Sequence, residues 1–245
     1  MPLVIATTIP GEPEIFASLQ GEGPSQGKPC AFVRLSRCNL ACVWCDTAYT
    51  WLFEGDNRPH RSDQTYERKA NQVTLTEEEV AARIVALGQP RLVVTGGEPL
   101  LQAPALARML ALLPREIAIE FETNGTVAPP EALDRQVDQY NVSPKLAHSG
   151  NPAELALVPE RLAHWAGEPR AAFKFVIAEP DDLAEVLALA ERFAISRERV
   201  WLMAEGTDAA TLHAREAWLA QLCLDNRLTL SKRLQIELYG DTRGT

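Results

Sequence analysis

The chain lacks the features that several large classes of protein require. Among its 245 residues, no apolar run approaches the roughly 20 residues of a membrane-spanning helix. The apolar start MPLVIATTIP has no basic residues before it and no small-residue cleavage site, so we expect a first strand, not a signal peptide. The net charge of −9, without a block of Lys or Arg, argues against an extended nucleic-acid surface. We therefore expect a small-molecule substrate, with no membrane and no direct nucleic-acid partner.

Several common catalytic signatures are also absent. The sequence has no P-loop, no HExxH motif and no nucleophile elbow, and it shows no internal repeat. The histidines, His60, His148, His164 and His213, show no metal-binding spacing, and we assign them no chemical role. The five cysteines are an odd number and three of them are clustered, which argues against a secreted disulfide framework and favours the reducing cytoplasm.

The clustered cysteines, Cys38, Cys42 and Cys45 in the run CNLACVWC, are the most informative residues of the chain. A structural zinc or a saturated iron–sulfur cluster takes four protein ligands. Three thiolates can hold three irons of a cubane cluster and leave the fourth iron open to a substrate or cofactor. The alternatives at this point are an incomplete zinc site or buried thiols. Cys30 is either a packing residue or a fourth ligand, and Cys223 has the helical spacing of a core residue.

Alternating apolar runs and helical patterns predict an α/β fold. Short apolar runs, typical of strands buried on both faces of a parallel sheet, lie at residues 30–36, 91–95, 117–122, 139–143, 172–178 and 199–204. Thr76 and Glu79 form a capping-box pattern that begins a helix, and Gly88 ends it. Further helices are expected at residues 103–113, 131–137, 181–193 and 208–225.

Repeated strand–helix units imply right-handed crossovers and a sheet that is barrel-like or doubly wound. About six parallel strands are fewer than the eight of a closed barrel, so an incomplete barrel is expected. We expect one domain over residues 1–245. Residues 50–74 form a polar insertion with little apolar periodicity, which predicts a long, partly mobile loop.

The unusual segments follow the predicted strands directly. CNLACVWC follows the first core strand, TGGEP the second, ETNG the third, SPK the fourth, AEP the fifth and AEG the sixth. The carboxyl ends of parallel strands meet at one edge of a barrel or open sheet, where α/β enzymes place their active sites. This placement is independent of the cysteine motif, and it favours an active site over a purely structural role.

Some positions have a chemical interpretation from the residues alone. The glycine pair of TGGEP lacks side chains where a strand turns, so backbone groups can approach a ligand closely. Asp46 and Thr47 offer oxygen ligands to Mg2+, but this pair alone is more often a helix or turn cap. Arg34 interrupts an apolar strand, and a buried guanidinium requires an anion beside it. The alternatives are an anion supplied by a substrate or by Glu22, or a structural salt bridge.

The cysteine spacing, three residues and then two, resembles the signature of the radical SAM superfamily. In that superfamily the open iron binds S-adenosylmethionine (SAM), and one electron from the cluster breaks a carbon–sulfur bond to release a 5'-deoxyadenosyl radical. The residue before the last cysteine is usually aromatic, as Trp44 is here, and a GGE-type segment follows the second strand. The resemblance implies a partial TIM-like β/α barrel with a 4Fe-4S cluster and SAM as cofactors.

A narrower resemblance is to the 7-carboxy-7-deazaguanine synthase family. The matching segments are EIFASLQGEG, CNLACVWCDT, TGGEPLLQ, ETNG, SPK, FKFV, WLMAEG and LYGDTRGT. The resemblance implies a ring contraction of 6-carboxy-5,6,7,8-tetrahydropterin to 7-carboxy-7-deazaguanine with loss of ammonia, in queuosine and 7-deazapurine biosynthesis. It also implies Mg2+ as a cofactor, a homodimer, and a reductant such as flavodoxin or ferredoxin.

The same resemblance implies a set of site residues. The cluster ligands would be Cys38, Cys42 and Cys45, with Thr47 on Mg2+ and Asp46 beside it. The SAM contacts would be Trp44, Gly97, Ser143, Pro144, Lys145, Met203, Ala204 and Glu205. The substrate contacts would be Leu19, Gln20, Gly21, Glu22, Arg34, Thr95, Gln235 and, from a C-terminal tail that closes the pocket, Thr245. The chain departs from the family at Ala204, where Pro is common, and at Gln235, where His is frequent.

Two other functions remain as alternatives. A glycyl-radical activating enzyme would share the cysteines and the GGE segment but would not need QGEG or CDT. A non-catalytic iron–sulfur or zinc module would require a saturated four-ligand site, with Cys30 or a histidine as the fourth ligand.

Overall fold

The structure, a computed structural model, describes residues 2–245. Its strands are β1 (Leu3–Ile9), β2 (Glu12–Pro13), β3 (Ile15–Leu19), β4 (Pro29–Leu35), β5 (Gln72–Leu75), β6 (Arg91–Gly96), β7 (Ala118–Thr123), β8 (Gln139–Val142), β9 (Ala171–Ile177), β10 (Val200–Ala204) and β11 (Thr229–Ser231). Its α-helices are α1 (Arg68–Asn71), α2 (Glu77–Ala86), α3 (Ala103–Leu110), α4 (Glu131–Asp134), α5 (Ala153–Ala156), α6 (Pro159–Gly167), α7 (Asp182–Arg192), α8 (Ala209–Asn226) and α9 (Leu234–Tyr239).

The strands form one sheet in the order β11-β10-β9-β8-β7-β6-β4-β1-β2, with β3 paired to β4 and β5 paired to β1. All neighbours from β4 to β11 are parallel, whereas β1 runs antiparallel to β4 and ends the parallel part. Within residues 2–245 the two outer strands do not pair with each other, so the barrel is incomplete. The predicted partial β/α barrel is therefore confirmed, and β11 adds one parallel strand that three residues are too short to predict.

The central strands are buried on both faces, as the continuous apolar runs predict. Every residue of β9 is buried, and Phe121, Phe173 and Trp165 belong to the large core between the sheet and its helices. The opposite face carries polar residues in the strand interiors, including Glu120 and Lys174, which are also buried. Because side chains alternate along a strand, these charged groups point together into the inside of the partial barrel.

Most predicted elements have bounds within a few residues of those observed. The capping box is present: the Glu79 amide donates to Thr76 Oγ1 at 3.2 Å, and the Thr76 amide donates to Glu79 Oε2 at 2.8 Å. The first strand at the N-terminus is confirmed as β1, and Cys223 is buried in the core as expected. None of the helices that residues 2–245 form is long and apolar enough to cross a bilayer.

The prediction that residues 50–74 form only a loop is wrong at the C-terminal end of that segment. Residues 68–71 form α1, and β5 pairs antiparallel with β1 in the register Leu3↔Leu75 to Ala6↔Gln72. The run QVTL alternates polar and apolar residues, but four residues are too few to predict a strand, and it becomes one by pairing with the free edge of β1. Helices α5, α6 and α9 were likewise not predicted.

Gln102 fastens the antiparallel strand β1 to the parallel sheet. Its Nε2 donates to the carbonyls of Val4 at 3.0 Å and Ser36 at 3.1 Å, and its Oε1 accepts from the Val4 amide at 2.8 Å. The ladder between β1 and β4 is short, with Ile5 opposite Leu35. Since Ser36 opens the cysteine loop, the Gln102 amide also fixes where that loop starts.

Replacing Gln102 by Leu leaves the Val4 amide and the Ser36 carbonyl without their hydrogen-bond partner in a buried place, while the Val4 carbonyl keeps the Ser36 amide at 2.9 Å. We expect a loss of about 3 kcal/mol in the free energy of unfolding, or about 6 to 12 °C in Tm by calorimetry. The matched control is Gln221→Leu on exposed α8, where the amide bonds only to Asp225. A Tm equal in the two variants would show that Gln102 does not fasten β1.

Candidate active site

A cavity of about 410 Å3 opens at the carboxyl ends of the parallel strands. The C-terminal residues after α9 also line it. The site residues predicted from the sequence that line it are Leu19, Gln20, Gly21, Glu22, Arg34, Cys38, Cys42, Trp44, Cys45, Asp46, Thr47, Thr95, Gly97, Ser143, Lys145, Met203, Ala204, Glu205, Gln235 and Thr245. Pro144, between two lining residues, does not belong to the lining. The fold thus brings twenty of the predicted positions to one space.

The cysteine loop places its three thiols in the cavity wall. Asn151 Nδ2 lies 3.3 Å from Cys42 Sγ, and Asn124 Nδ2 lies 3.9 Å from Cys38 Sγ, so two amide groups are directed at sulfur. Burial raises the pKa of the Cys38 thiol to about 12 and that of Cys45 to about 11. A bound metal cation offsets the cost of a buried thiolate, so these thiols are suited to metal ligation.

Three thiols in the wall of one cavity supply the three protein ligands of a cubane cluster with one open iron. Among residues 2–245, no three His, Cys, Asp or Glu side chains converge where one ion would be held, as tetrahedral zinc requires. A cubane binds each thiolate at a different iron, so its ligands stand apart around a shared space. Of the described histidines none lines the cavity. Cys30 packs with Phe32 and Val93 outside the lining, which makes it a core residue and removes the expected fourth ligand of a saturated module.

The glycine pair after β6 supports the start of the cysteine loop. The Gly97 amide donates to Leu35 O at 3.0 Å, and the Glu98 amide donates to Arg37 O at 2.9 Å. A Cβ on Gly97 would collide with the Arg37 carbonyl and lie 2.9 Å from Cys38 Cβ. Only glycine allows this approach, so the segment holds the loop at close range.

Glu98 connects this support to the next strand end. Its buried carboxylate accepts hydrogen bonds from the backbone amide of Asn124 at 2.7 Å, from the backbone amide of Leu100 at 3.0 Å and from Thr123 Oγ1 at 3.0 Å. Burial raises the pKa of Glu98 to about 7, although the hydrogen bonds oppose this. Asn124 in turn directs its side-chain Nδ2 at Cys38 Sγ. The segments that follow β6 and β7 therefore position the first cysteine of the motif.

A chain of four buried or cavity-lining charges lies in the same cavity. We call Lys174, Glu22, Arg233 and Asp46 the ionic clamp. Lys174 Nζ and Arg233 Nε pair with the two oxygens of Glu22, and Arg233 Nη2 pairs with Asp46. Arg233 also donates to the carbonyl of Gly206, in the loop after β10. The clamp therefore links the QGEG loop, the cysteine loop and the C-terminal segment.

The clamp keeps Glu22 ionised. Burial raises the pKa of this carboxyl, but Lys174 and Arg233 outweigh it, and the result is a pKa of about 2. Glu22 is 9%, Lys174 5% and Arg233 7% exposed, so water contributes little to stabilising these charges. Removing one member of such a group leaves an unpaired buried charge, which is costly.

Sequence reasoning missed Lys174 and Arg233. Lys174 could have been found from the sequence, because it interrupts the apolar run AAFKFVI in the same way as Arg34 interrupts β4. A charge inside an apolar strand indicates a buried ion pair or a ligand. Arg233 lies in the segment LSKRLQ, which has no periodicity and no motif of its own. Its role depends on three partners that are distant in the sequence.

Two predicted substrate contacts already have protein partners. Gln20 Nε2 donates to Glu120 at 2.7 Å and Glu122 at 3.3 Å, and its Oε1 accepts from the Glu22 amide at 3.2 Å. Arg34 Nε pairs with buried Glu14 at 2.7 Å, the structural salt bridge that was an alternative for this residue. Both side chains line the cavity, and their contacts with substrate stay predictions.

The predicted SAM side contains an unpaired donor. Trp44 stacks against His148 at 5.5 Å between ring centroids, and Lys145 Nζ lies 5.7 Å from the Trp44 ring centre. Trp44 Nε1 is buried and has no hydrogen-bond partner in the part of the chain that the structure describes. Lys145 Nζ donates to Ser143 Oγ at 2.8 Å. A buried N–H without a partner is costly, which supports a ligand on this side.

The two residues predicted to lie near Mg2+ both line the cavity but have different partners. Thr47 Oγ1 lies 3.6 Å from Cys45 Sγ and lines the cavity. Asp46 pairs with Arg233, which outweighs burial and lowers the pKa of the Asp46 carboxyl. A role of either residue in metal binding stays a prediction.

Comparison with known proteins agrees with this site. The chain matches the family model "Radical SAM superfamily" over residues 33–145. It is 38% identical over 235 residues to the 7-carboxy-7-deazaguanine synthase of Pyrobaculum aerophilum, covering 94% of this chain and 95% of that protein. It is 34% identical over 229 residues to that of Hyperthermus butylicus, covering 91% and 90%. The site and fold are those of a radical SAM enzyme. Within that class, the chain belongs to the 7-carboxy-7-deazaguanine synthase family.

Solved structures show the same fold. The crystal structure of QueE from Escherichia coli is similar with a TM-score of 0.64 and 23% identity, covering 96% of this chain and 95% of that chain. Streptococcus suis SuiB is similar with a TM-score of 0.51 and 11% identity, covering 80% of this chain and 47% of that chain. At these identities the likeness concerns the fold alone.

The amide of Asn151 is expected to tune the cluster. Replacing Asn151 by Ala removes the N–H directed at Cys42 Sγ and the acceptor for the Ala41 amide. Hydrogen bonds to sulfur stabilise the more negative, reduced cluster, so we expect a midpoint potential lower by on the order of 50 mV. Redox titration followed by EPR measures this. Asn57→Ala, on the exposed insertion, is the control, and equal potentials at equal iron content would contradict the assignment.

Proposed function

We infer that the chain is a radical SAM enzyme that contracts the ring of 6-carboxy-5,6,7,8-tetrahydropterin to 7-carboxy-7-deazaguanine and releases ammonia. This product belongs to the biosynthesis of 7-deazapurines such as queuosine. The observation that carries the inference is that one cavity holds both the three free thiols and the ionic clamp on Glu22. A cluster module alone would need only the first of these.

Cys38, Cys42 and Cys45 would hold the 4Fe-4S cluster, with SAM beside it. When bound, these cofactors supply a carbon radical that starts the rearrangement. The protein must keep water and stray hydrogen donors away from such a species, which requires a closed, preorganised cavity. Paired buried charges and short loops anchored at strand ends meet this requirement without large movement.

Glu22 and Gln235 are suited to bind the guanidine-like edge of a pterin. Glu22 is an ionised acceptor, and after the bonds from Lys174, Arg233 and Gln235 its Oε2 has one lone pair left for a substrate N–H. Gln235 Nε2 donates to Glu22 at 2.7 Å, and its buried Oε1 has no partner among residues 2–245. We propose that this oxygen accepts an N–H of the substrate. Gln235 would then serve where many relatives have His.

The remaining predicted contacts complete this arrangement. We propose that Arg34 and a Mg2+ ion on Thr47 hold the substrate carboxylate, with Asp46 beside the ion, since hard cations prefer oxygen ligands. The substrate would also touch Leu19, Gln20, Gly21, Thr95 and Thr245. SAM would lie against Trp44, Gly97, Ser143, Pro144, Lys145, Met203, Ala204 and Glu205.

Ala204 retains its place in the sheet although relatives commonly have Pro there. It pairs with Ile177, and the next amide, of Glu205, donates to Ile177 O at 2.9 Å. Glu205 is held further by Arg61 and Arg215. The loop after β10 is therefore fixed by its neighbours, and we expect Ala204 to be compatible with SAM binding.

We further propose a cytoplasmic homodimer that receives electrons from a flavodoxin or ferredoxin. We also propose that residues 1–245 act as one domain, with the C-terminal tail closing the substrate pocket. The reducing cytoplasm suits three free, cluster-binding thiols.

The direct test is anaerobic reconstitution, followed by incubation with the carboxypterin, SAM, Mg2+ and a reductant. We expect about four irons per chain and formation of 7-carboxy-7-deazaguanine, measured by mass spectrometry. Cleavage of SAM without a deazapurine would reject the substrate and keep the radical SAM class. A content of one zinc per chain without labile sulfide would reject both the substrate and the radical SAM class.

Glu22→Gln should abolish most turnover while iron content stays at the wild-type level. The neutral amide loses the charge that pairs with Lys174 and Arg233, and it presents a donor where the substrate presents donors. Because the pKa of Glu22 is about 2, the wild-type profile of kcat/KM should show no acid limb from this carboxyl between about pH 5 and 8. Glu154→Gln on exposed α5 is the control. Equal turnover in both variants would remove Glu22 from the substrate pocket.

A further inference from the structure

The C-terminal tail, residues 240–245, runs from the end of α9 along the cavity to β1. Arg243 Nη1 lies 3.3 Å from Thr7 O, and a Cβ on Gly244 would lie 2.9 Å from Thr8 Cγ2. Gly244 has a φ of 79°, which favours glycine and lets the tail pass this close to the strand. The tail residues that line the cavity are Gly240, Asp241, Thr242, Arg243 and Thr245.

Arg243 provides the contacts that attach this tail to the rest of the molecule. Its guanidinium carbon lies 3.5 Å from the ring centre of Tyr49 and 5.6 Å from that of Tyr66. Its Nη1 donates to Asn71 Oδ1 at 2.9 Å. By contrast, Thr245 Oγ1 donates to Thr242 O, inside the tail. One side chain therefore spans the cysteine loop, the insertion and α1.

The two tyrosines are themselves well fixed. Tyr66 belongs to the 50–74 insertion, and its amide and carbonyl bond to Leu52 O at 3.2 Å and to the Glu54 amide at 3.0 Å. Tyr49 is buried and packs edge-on against Tyr66 at 6.2 Å between centroids. Arg243 thus meets a rigid aromatic surface formed by two segments that are distant from the tail in sequence.

Tyr49 is also connected by hydrogen bonds to Arg34, one of the predicted substrate contacts. Its hydroxyl donates to Glu14 Oε2 at 2.8 Å, and the other oxygen of Glu14 pairs with Arg34 Nε at 2.7 Å. The attachment of the tail and the orientation of Arg34 therefore share one connected set of contacts. A displaced tail would expose this set to water and take Thr245 from the cavity wall.

We propose that Arg243 is a positioning residue that fastens the C-terminal tail over the cavity, with Tyr49 and Tyr66 as its receptor. The insertion, to which sequence reasoning assigned no role, supplies half of that receptor. A planar guanidinium stacks on an aromatic face and donates in a fixed direction at the same time, which an ammonium group does not. The consequence for substrate retention rests on the proposed function, whereas the attachment itself does not.

The experiment compares Arg243→Met, Arg243→Lys and Tyr66→Leu with Arg135→Met, an exposed arginine of the same charge outside the cavity. All are reconstituted with the cluster, and iron content and Tm are measured first. Hydrogen exchange of the 240–245 amides then reports attachment without any substrate. Steady-state kinetics with the carboxypterin report KM, kcat and the ratio of 5'-deoxyadenosine to product.

For Arg243→Met we expect normal iron content and hydrogen exchange of the tail faster by about tenfold, as the loss of a partly buried cation–π contact implies. KM should rise by a similar factor, about tenfold, with a smaller change in kcat. Arg243→Lys should recover only part of both effects. The double variant Arg243→Met/Tyr66→Leu should resemble Arg243→Met, because the contact that Tyr66→Leu removes is one that Arg243→Met already removes. Arg135→Met should behave as wild type.

Unchanged exchange of the tail in Arg243→Met would overturn the attachment, and faster exchange with an unchanged KM would overturn the positioning role. Fully additive effects in the double variant would overturn Tyr66 as the receptor. A wild-type protein that makes no deazapurine would reject the proposed function instead, and the exchange measurement would still decide whether Arg243 holds the tail.

Discussion

The ion pairs of Arg233 are the constraint on which the cavity depends. A buried charge without a partner costs several kcal/mol, so Glu22, Lys174 and Arg233 are stable inside the barrel only together. Their pairing brings the QGEG loop, a central strand and the C-terminal segment to one place, and the bond of Arg233 to Asp46 brings the cysteine loop there too. The result is one cavity lined by both the paired charges and the three thiols.

The incomplete barrel explains how such polar groups can lie inside the fold. Its outer face packs helices against apolar residues, whereas its inner face carries charged residues that satisfy one another. Because the parallel part of the sheet ends at β4 on one side and at β11 on the other, short segments complete the enclosure. The insertion, α9 and the C-terminal tail do this. The insertion ends in β5, which pairs with β1, α9 begins with the Leu234 amide bonded to Gly21 O, and Arg243 holds the tail to Thr7 of β1.

The sequence predicted the repetitive part of the molecule well, because buried parallel strands and capped helices leave local patterns. The strand-end rule then grouped nearly all candidate residues in one cavity. The features that the sequence did not predict depend on contacts between segments distant in the chain. Strand β5 forms by pairing with the free edge of β1, and Arg233 is placed by its ion pairs with Glu22 and Asp46. The resemblance to a family named the residues but not their protein partners, such as Glu14 for Arg34. Lys174 is the exception, because a charge within an apolar strand was visible and was not used.

We propose that the three thiolates leave one iron of a cluster open to SAM, in the same cavity as Glu22 and its ion pairs. The most direct measurement is pulsed ENDOR on the reconstituted, reduced protein with SAM labelled with 15N at its amino group. Coordination of that nitrogen to the open iron predicts a resolved 15N hyperfine coupling, which should vanish without SAM. A cluster at full iron content that shows no coupling to the labelled nitrogen would contradict the claim.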